Sequence, residues 1–134
     1  MSEQQRILYI DGDEDFRQAV SGRLAAEGFA VTAAATGTEG LTASASASFD
    51  LILLDMLLAE QDGLATYQAL RARPTTRDAA MILVTALAAA DYWEPLPYDT
   101  DGPCFMMGRS DDFDLLLARI TQLLARSPLI MGSG

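Results

Sequence analysis

Three short apolar runs along the chain each end in a polar residue: 7–10 at Asp11, 51–54 at Asp55 and 81–84 at Thr85. Unbroken runs of this length are those of strands buried on both faces of a parallel sheet. Between them the period changes. Asp13 can cap a helix whose apolar positions Phe16, Val20 and Leu24 recur every four residues, with Gly28 just past its end. Residues 29–34 predict a second strand and 36–47 an Ala- and Ser-rich helix, whose run at 42–48 reads as a solvated face. The strand ending at Asp55 leads through a loop to a helix over 64–72 stopped by Pro74, and then to the strand ending at Thr85.

From Ala86 the pattern weakens, as an Ala-rich stretch meets Tyr92, Trp93, Pro95, Pro97 and Tyr98. The two prolines break regular helix, so a short or distorted fourth helix and a long loop are expected there. Residues 104–107 predict a fifth strand, and 111–126 an amphipathic helix with Phe113, Leu116, Leu117, Ile120 and Leu124 facing inward. Residues 1–126 are expected to form the domain and 127–134 a C-terminal tail or linker. Strands alternating with helices through short connections imply a parallel sheet covered on both faces by right-handed crossovers, a doubly wound α/β fold.

Composition narrows the function classes. The chain of 134 residues suits one domain with its own core, and 50% hydrophobic with 21% charged residues is a globular balance. No apolar stretch approaches the roughly 20 residues of a membrane span. Residues 1–6 are too polar for a signal peptide. A net charge of −10 repels nucleic acid and anionic lipid, so neither is expected as a direct partner. Cys104 is the single cysteine, which forbids an internal disulfide, fits a reducing cytoplasm and is expected as a small buried hydrophobe. With no histidine, a histidine base, a histidine phospho-carrier and most zinc or iron sites are excluded.

The candidate chemistry lies at the strand ends. Open α/β sheets bind ligands outside the carboxyl ends of their strands, and here three strands deliver Asp11, Asp55 and Thr85 to that edge. Two carboxylates and a hydroxyl can hold a divalent cation and handle a phosphoryl group.

On the strand ending in Asp11, the segment Asp50-Leu-Ile-Leu-Leu-Asp55, the Asp62-Gly63 turn, the strand end Val84-Thr85-Ala86 and the closing Leu-Leu-Ala-Arg-Ile at 116–120, the chain resembles a receiver domain of bacterial two-component response regulators. The resemblance covers residues 6–126. It implies a flavodoxin-like three-layer sandwich around a five-stranded parallel sheet of order 2-1-3-4-5. It also implies a cytoplasmic phosphoacceptor domain rather than an enzyme, with a sensor histidine kinase or phosphotransfer protein upstream and an effector protein or domain downstream. Asp55 would be the phosphoacceptor, a carboxylate nucleophile aided by positioning and charge neutralisation. Magnesium would be held by Asp55, Asp11 and the backbone carbonyl of Leu57. Thr85 would donate its hydroxyl to the phosphoryl group and move toward it.

Four positions depart from the family pattern. Gly12 stands where receivers usually carry a second acidic metal ligand, which weakens the expected magnesium site. Asp13 is an additional candidate ligand, although the helix cap is its favoured role. Arg109 aligns with the lysine that contacts the phosphoryl group; its planar fork can clamp Asp55, reach a phosphate, or serve as an ordinary surface arginine. Ser110 replaces a common proline, and Met106 falls where the family often has a rotating aromatic; Phe105, one position away, should face the other side of the strand. Leu57 and Leu87 occupy positions that influence attack by water, and apolar groups there imply a long-lived phosphorylated form. Segment 93–103 reads equally as a partner-binding surface or an insertion loop packed on the sheet.

The leading expectation is a receiver phosphorylated on Asp55 that switches a protein-binding surface. The alternative is a phosphorylation-independent pseudo-receiver acting as an interaction module, favoured by Gly12, Met106 and Arg109. A phosphate-ester hydrolase shares the nucleophile but lacks an evident general acid.

Overall fold

The computed structural model describes residues 4–56, 63–77, 79–85, 104–108 and 113–132. The elements are β1 (Arg6–Ile10), α1 (Glu14–Ala26), β2 (Ala30–Ala34), α2 (Gly37–Ser46), β3 (Leu51–Asp55), α3 (Gly63–Arg71), β4 (Ala80–Thr85), β5 (Cys104–Gly108) and α4 (Phe113–Gly132). All strand pairs are parallel, in the order β2-β1-β3-β4-β5. That is the order implied by the resemblance. The helix expected between β4 and β5, together with the segment at 93–103, lies outside the described residues.

The alternation of a strand explains the layers. Ile7, Tyr9, Leu51, Leu53, Ile82 and Val84 pack with Val20 and Leu24 of α1 and Ile120, Leu123 and Leu124 of α4. The residues between them, Leu8, Ile10, Ile52, Leu54, Met81 and Leu83, pack with Tyr67 and Leu70 of α3, with Leu41 of α2 alongside. Both faces of β1, β3 and β4 are thus covered, which is why their sequences read as continuous apolar runs. Each fully buried Leu or Ile contributes about 1.5–3 kcal/mol relative to exposure.

Local signals set the helix ends. Asp13 caps α1 by accepting from the Phe16 amide at 3.0 Å, and Thr36 caps α2 by accepting from the Glu39 amide at 3.0 Å. Gly28, at φ 101°, ends α1 in the left-handed conformation that favours glycine.

Several sequence expectations need correction. β2 begins at Ala30, because the Phe29 amide donates to Leu24 O at 3.2 Å and so closes the last turn of α1. Residue 44 is not part of a solvated face: Ser44 is buried, donates to Leu41 O and accepts from the Arg73 guanidinium at 3.0 Å. α3 is displaced by one residue and ends at Arg71. α4 begins at Phe113 and continues beyond residue 126 through Pro128 to Gly132. Proline costs a helix one backbone donor, while Leu129 and Met131 are good helix formers. Leu117 is only half-buried, and Leu123 takes an inward position with Ile120 and Leu124. No helix among the described residues is long and apolar enough to cross a membrane.

Candidate functional site

The strand order reverses at β1, which pairs with β2 on one side and β3 on the other. Ligands of open α/β sheets bind above such a reversal. Ile10 lies opposite Leu54, so the next residues in register are Asp11 and Asp55. Each is drawn outward by one further ladder bond. The Asp11 amide donates to Ala34 O of β2 at 3.0 Å, and the amide of Met56, directly after Asp55, donates to Val84 O of β4 at 2.8 Å. The two acids therefore sit side by side while their backbones continue toward opposite neighbours.

Both are buried, Asp11 at 1% and Asp55 at 2% exposure. A buried carboxylate needs hydrogen-bond partners. Asp11 Oδ2 accepts from the Tyr9 hydroxyl at 2.7 Å, and Oδ1 accepts from the Asp13 amide at 2.9 Å. The Arg17 guanidinium donates to the Asp11 carbonyl at 2.8 Å, tying the first turns of α1 to the end of β1. Asp13 thereby serves the site through its amide while its side chain caps α1.

Thr85 ends β4 at the same sheet edge, one residue beyond the Asp55–Val84 pair and opposite Gly108 of β5. The structure thus brings Asp11, Asp55 and the backbone of Thr85 to one edge. Leu57, Leu87, Arg109 and Ser110 lie outside the described residues, and of Met106 only the strand backbone is described. Tyr9 and Arg17 were not anticipated from sequence. Period-two alternation was the available signal for Tyr9, since it places residues 9 and 11 on one face of β1.

The site can be tested for a divalent ion. Among the described residues, no group of three or more His, Cys, Asp or Glu is arranged to hold a metal. Magnesium, however, usually keeps several waters and takes only one or two protein carboxylates together with phosphate oxygens. A carboxylate oxygen has two lone pairs, so the donors on Asp11 are compatible with coordination through the same group. Two carboxylates roughly 4 Å apart repel by about 4 kcal/mol at an effective dielectric of 20, which favours a cation between them. The Asp11–Asp55 pair fits a hydrated divalent ion. Gly12 is exposed, and among the described residues a Cβ placed there would meet only Ala35 O, at 3.7 Å, an ordinary contact.

Behind Asp55 the packing is closer. The Gly63 amide donates to Met56 O at 3.0 Å, and a Cβ on Gly63 would lie 2.3 Å from Met56 Cα. Glycine at the start of α3 allows the helix to seat directly on the residue following Asp55.

The receiver domain model of response regulators matches residues 7–95. Among curated proteins, the chain is similar to the transcriptional activator protein PfeR of Pseudomonas aeruginosa, 36% identical over 84 residues, covering 63% of this chain and 27% of PfeR. It is also similar to the DNA-binding dual master transcriptional regulator RpaA of Synechocystis, 31% identical over 125 residues, covering 93% of this chain and 51% of RpaA. The chain thus spans about half or less of these relatives. Among solved structures, a CheY-like receiver domain protein from Methanospirillum hungatei superposes with a TM-score of 0.79 at 26% identity, covering 92% of this chain and 96% of that one. Response regulator TrrA of Thermotoga maritima, solved in complex with Mg(2+)-BeF, gives 0.76 at 27% identity, covering 90% and 99%. A family match running from β1 past β4, on a sheet that sets two buried acids at its reversal point, means that this chain belongs to the response regulator receiver domains of two-component signalling.

Proposed function

We propose that Asp55 accepts a phosphoryl group from the phosphohistidine of a sensor histidine kinase or phosphotransfer protein. The observation that carries this reading is a buried Asp55 beside a buried Asp11 at the point where the strand order reverses. An Asp55 carboxylate oxygen attacks phosphorus, the bond from phosphorus to the imidazole nitrogen breaks, and the product is an acyl phosphate on Asp55. Asp11, Asp55 and the Leu57 carbonyl would hold a magnesium ion, which when bound neutralises charge on the phosphoryl oxygens. Thr85 donates its hydroxyl to the phosphoryl group, and Arg109 supplies a further cation to the same oxygens. Leu57 and Leu87 keep water from the acyl phosphate and prolong its life.

The new charge draws Thr85 inward and repacks the surface next to β5, where an effector protein or domain binds. The receiver unit runs from β1 to the end of α4 at Gly132, works in the cytoplasm and contacts neither nucleic acid nor membrane directly. RpaA and PfeR carry regulator names and are longer than this chain, in keeping with an effector outside the receiver fold.

Beryllofluoride, a tetrahedral stand-in for a phosphoryl group, tests the acceptor without a kinase. With magnesium present, fluorine NMR is expected to show a protein-bound resonance that disappears in Asp55→Asn. No bound resonance at saturating magnesium and fluoride would refute the reading and leave phosphorylation-independent binding as the function.

A further inference from the structure

Tyr9 is among the largest fully buried side chains, at 1% exposure within the cluster of β1, β3, α1 and α4. A phenylalanine would fill that cluster equally well; the hydroxyl adds a polar atom that burial penalises unless it is bonded. It donates to Asp11 Oδ2 at 2.7 Å, a well-formed O–H···O hydrogen bond. The Asp13 amide holds the other oxygen at 2.9 Å. Donors on both oxygens fix the rotation of the carboxylate. Gly12 adds no carboxylate of its own.

We propose that Tyr9 is a positioning residue for divalent-cation binding. Its hydroxyl fixes the orientation of the Asp11 carboxylate, so that preorganisation supplies part of what a carboxylate at position 12 would supply by charge. The inference rests on the reading of Asp11 and Asp55 as the metal site. Hydrogen-bond partners behind metal ligands typically contribute a factor of about 10–100 in affinity.

The test is isothermal titration calorimetry of the full chain with magnesium alone, comparing the parent protein, Tyr9→Phe and Tyr9→Leu. Ile120→Val, a mild truncation in the same core cluster, is the stability control. Both Tyr9 variants are expected to bind magnesium about tenfold more weakly with unchanged stoichiometry, while Ile120→Val keeps the parent affinity. A variant that had unfolded would instead lose stoichiometry, and the second Tyr9 variant then decides the outcome. A purely structural hydroxyl would lower the melting temperature without moving the magnesium Kd, and that result overturns the proposal. Equal weakening in Ile120→Val overturns it too. If the parent protein binds no magnesium, both this inference and the metal site fail; if it binds and the Tyr9 variants match it, only the role of Tyr9 fails.

Discussion

Replacing Gly63 by alanine should unseat α3 from the residue behind the phosphoacceptor. The added Cβ would stand 2.3 Å from Met56 Cα and 2.9 Å from both Met56 C and Met56 O. Optimal carbon contacts lie at about 3.5–4.0 Å, so the helix start or the strand end must shift by more than an ångström. All three atoms are backbone, and no rotamer change can relieve the overlap. Overpacking of this kind costs about 1–3 kcal/mol, against a helix-propensity gain for alanine of at most about 1 kcal/mol. From the middle of the overpacking range, about 2 kcal/mol, the net loss is about 1–2 kcal/mol. Unfolding entropy of about 2.1 cal/mol/K per residue amounts to about 0.28 kcal/mol/K for the chain of 134 residues. Thermal denaturation followed by circular dichroism should therefore show a midpoint about 4–7 °C lower. Because Met56 directly follows Asp55, beryllofluoride binding should weaken as well. A Gly63→Ala protein that melts at or above the parent temperature would refute the close approach and the anchoring role given to it.

Gly12→Asp meets no close contact at its Cβ among the described residues and should tighten magnesium binding by about tenfold or more, roughly 1.4 kcal/mol, while lowering metal-free stability through added repulsion; calorimetry and urea unfolding without metal check the two signs. Asp13→Ala should destabilise by about 1 kcal/mol through loss of the α1 cap, and Asp13→Ser should restore stability at parent magnesium affinity; a Kd weakened equally in both variants would make the carboxylate a metal ligand. Arg73→Met removes donors to Leu41 O at 2.6 Å and to buried Ser44 and should cost about 1–3 kcal/mol in urea unfolding, with beryllofluoride binding unchanged.

Much of this protein is legible from its order of residues, and the reasons differ by element. The runs ending at Asp11 and Asp55 announce themselves because strands buried on both faces must be apolar until they reach the sheet edge. Asp13 and Thr36 mark helix starts because a short polar side chain satisfies an otherwise unpaired amide. The burial of Ser44 is not legible locally, because its partner Arg73 stands 29 residues away in sequence. Tyr9 reads as core because a tyrosine in an apolar run packs like its neighbours, and its hydroxyl gains meaning only through its bond to Asp11. The extension of α4 through Pro128 is not legible locally because proline is the strongest local signal to stop a helix. Gly63 shows the limit of a motif: the Asp62-Gly63 pair reads as a turn, whereas the reason for glycine is the backbone of Met56 against it.

The central claim is that Asp55 is a working phosphoacceptor despite Gly12, and intact-protein mass spectrometry with acetyl phosphate tests it most directly. The account predicts a phosphoryl-sized mass gain that requires magnesium, is lost in Asp55→Asn and is reduced in Asp11→Asn. No gain in the parent protein across magnesium concentrations, or a gain that persists in Asp55→Asn, would contradict it.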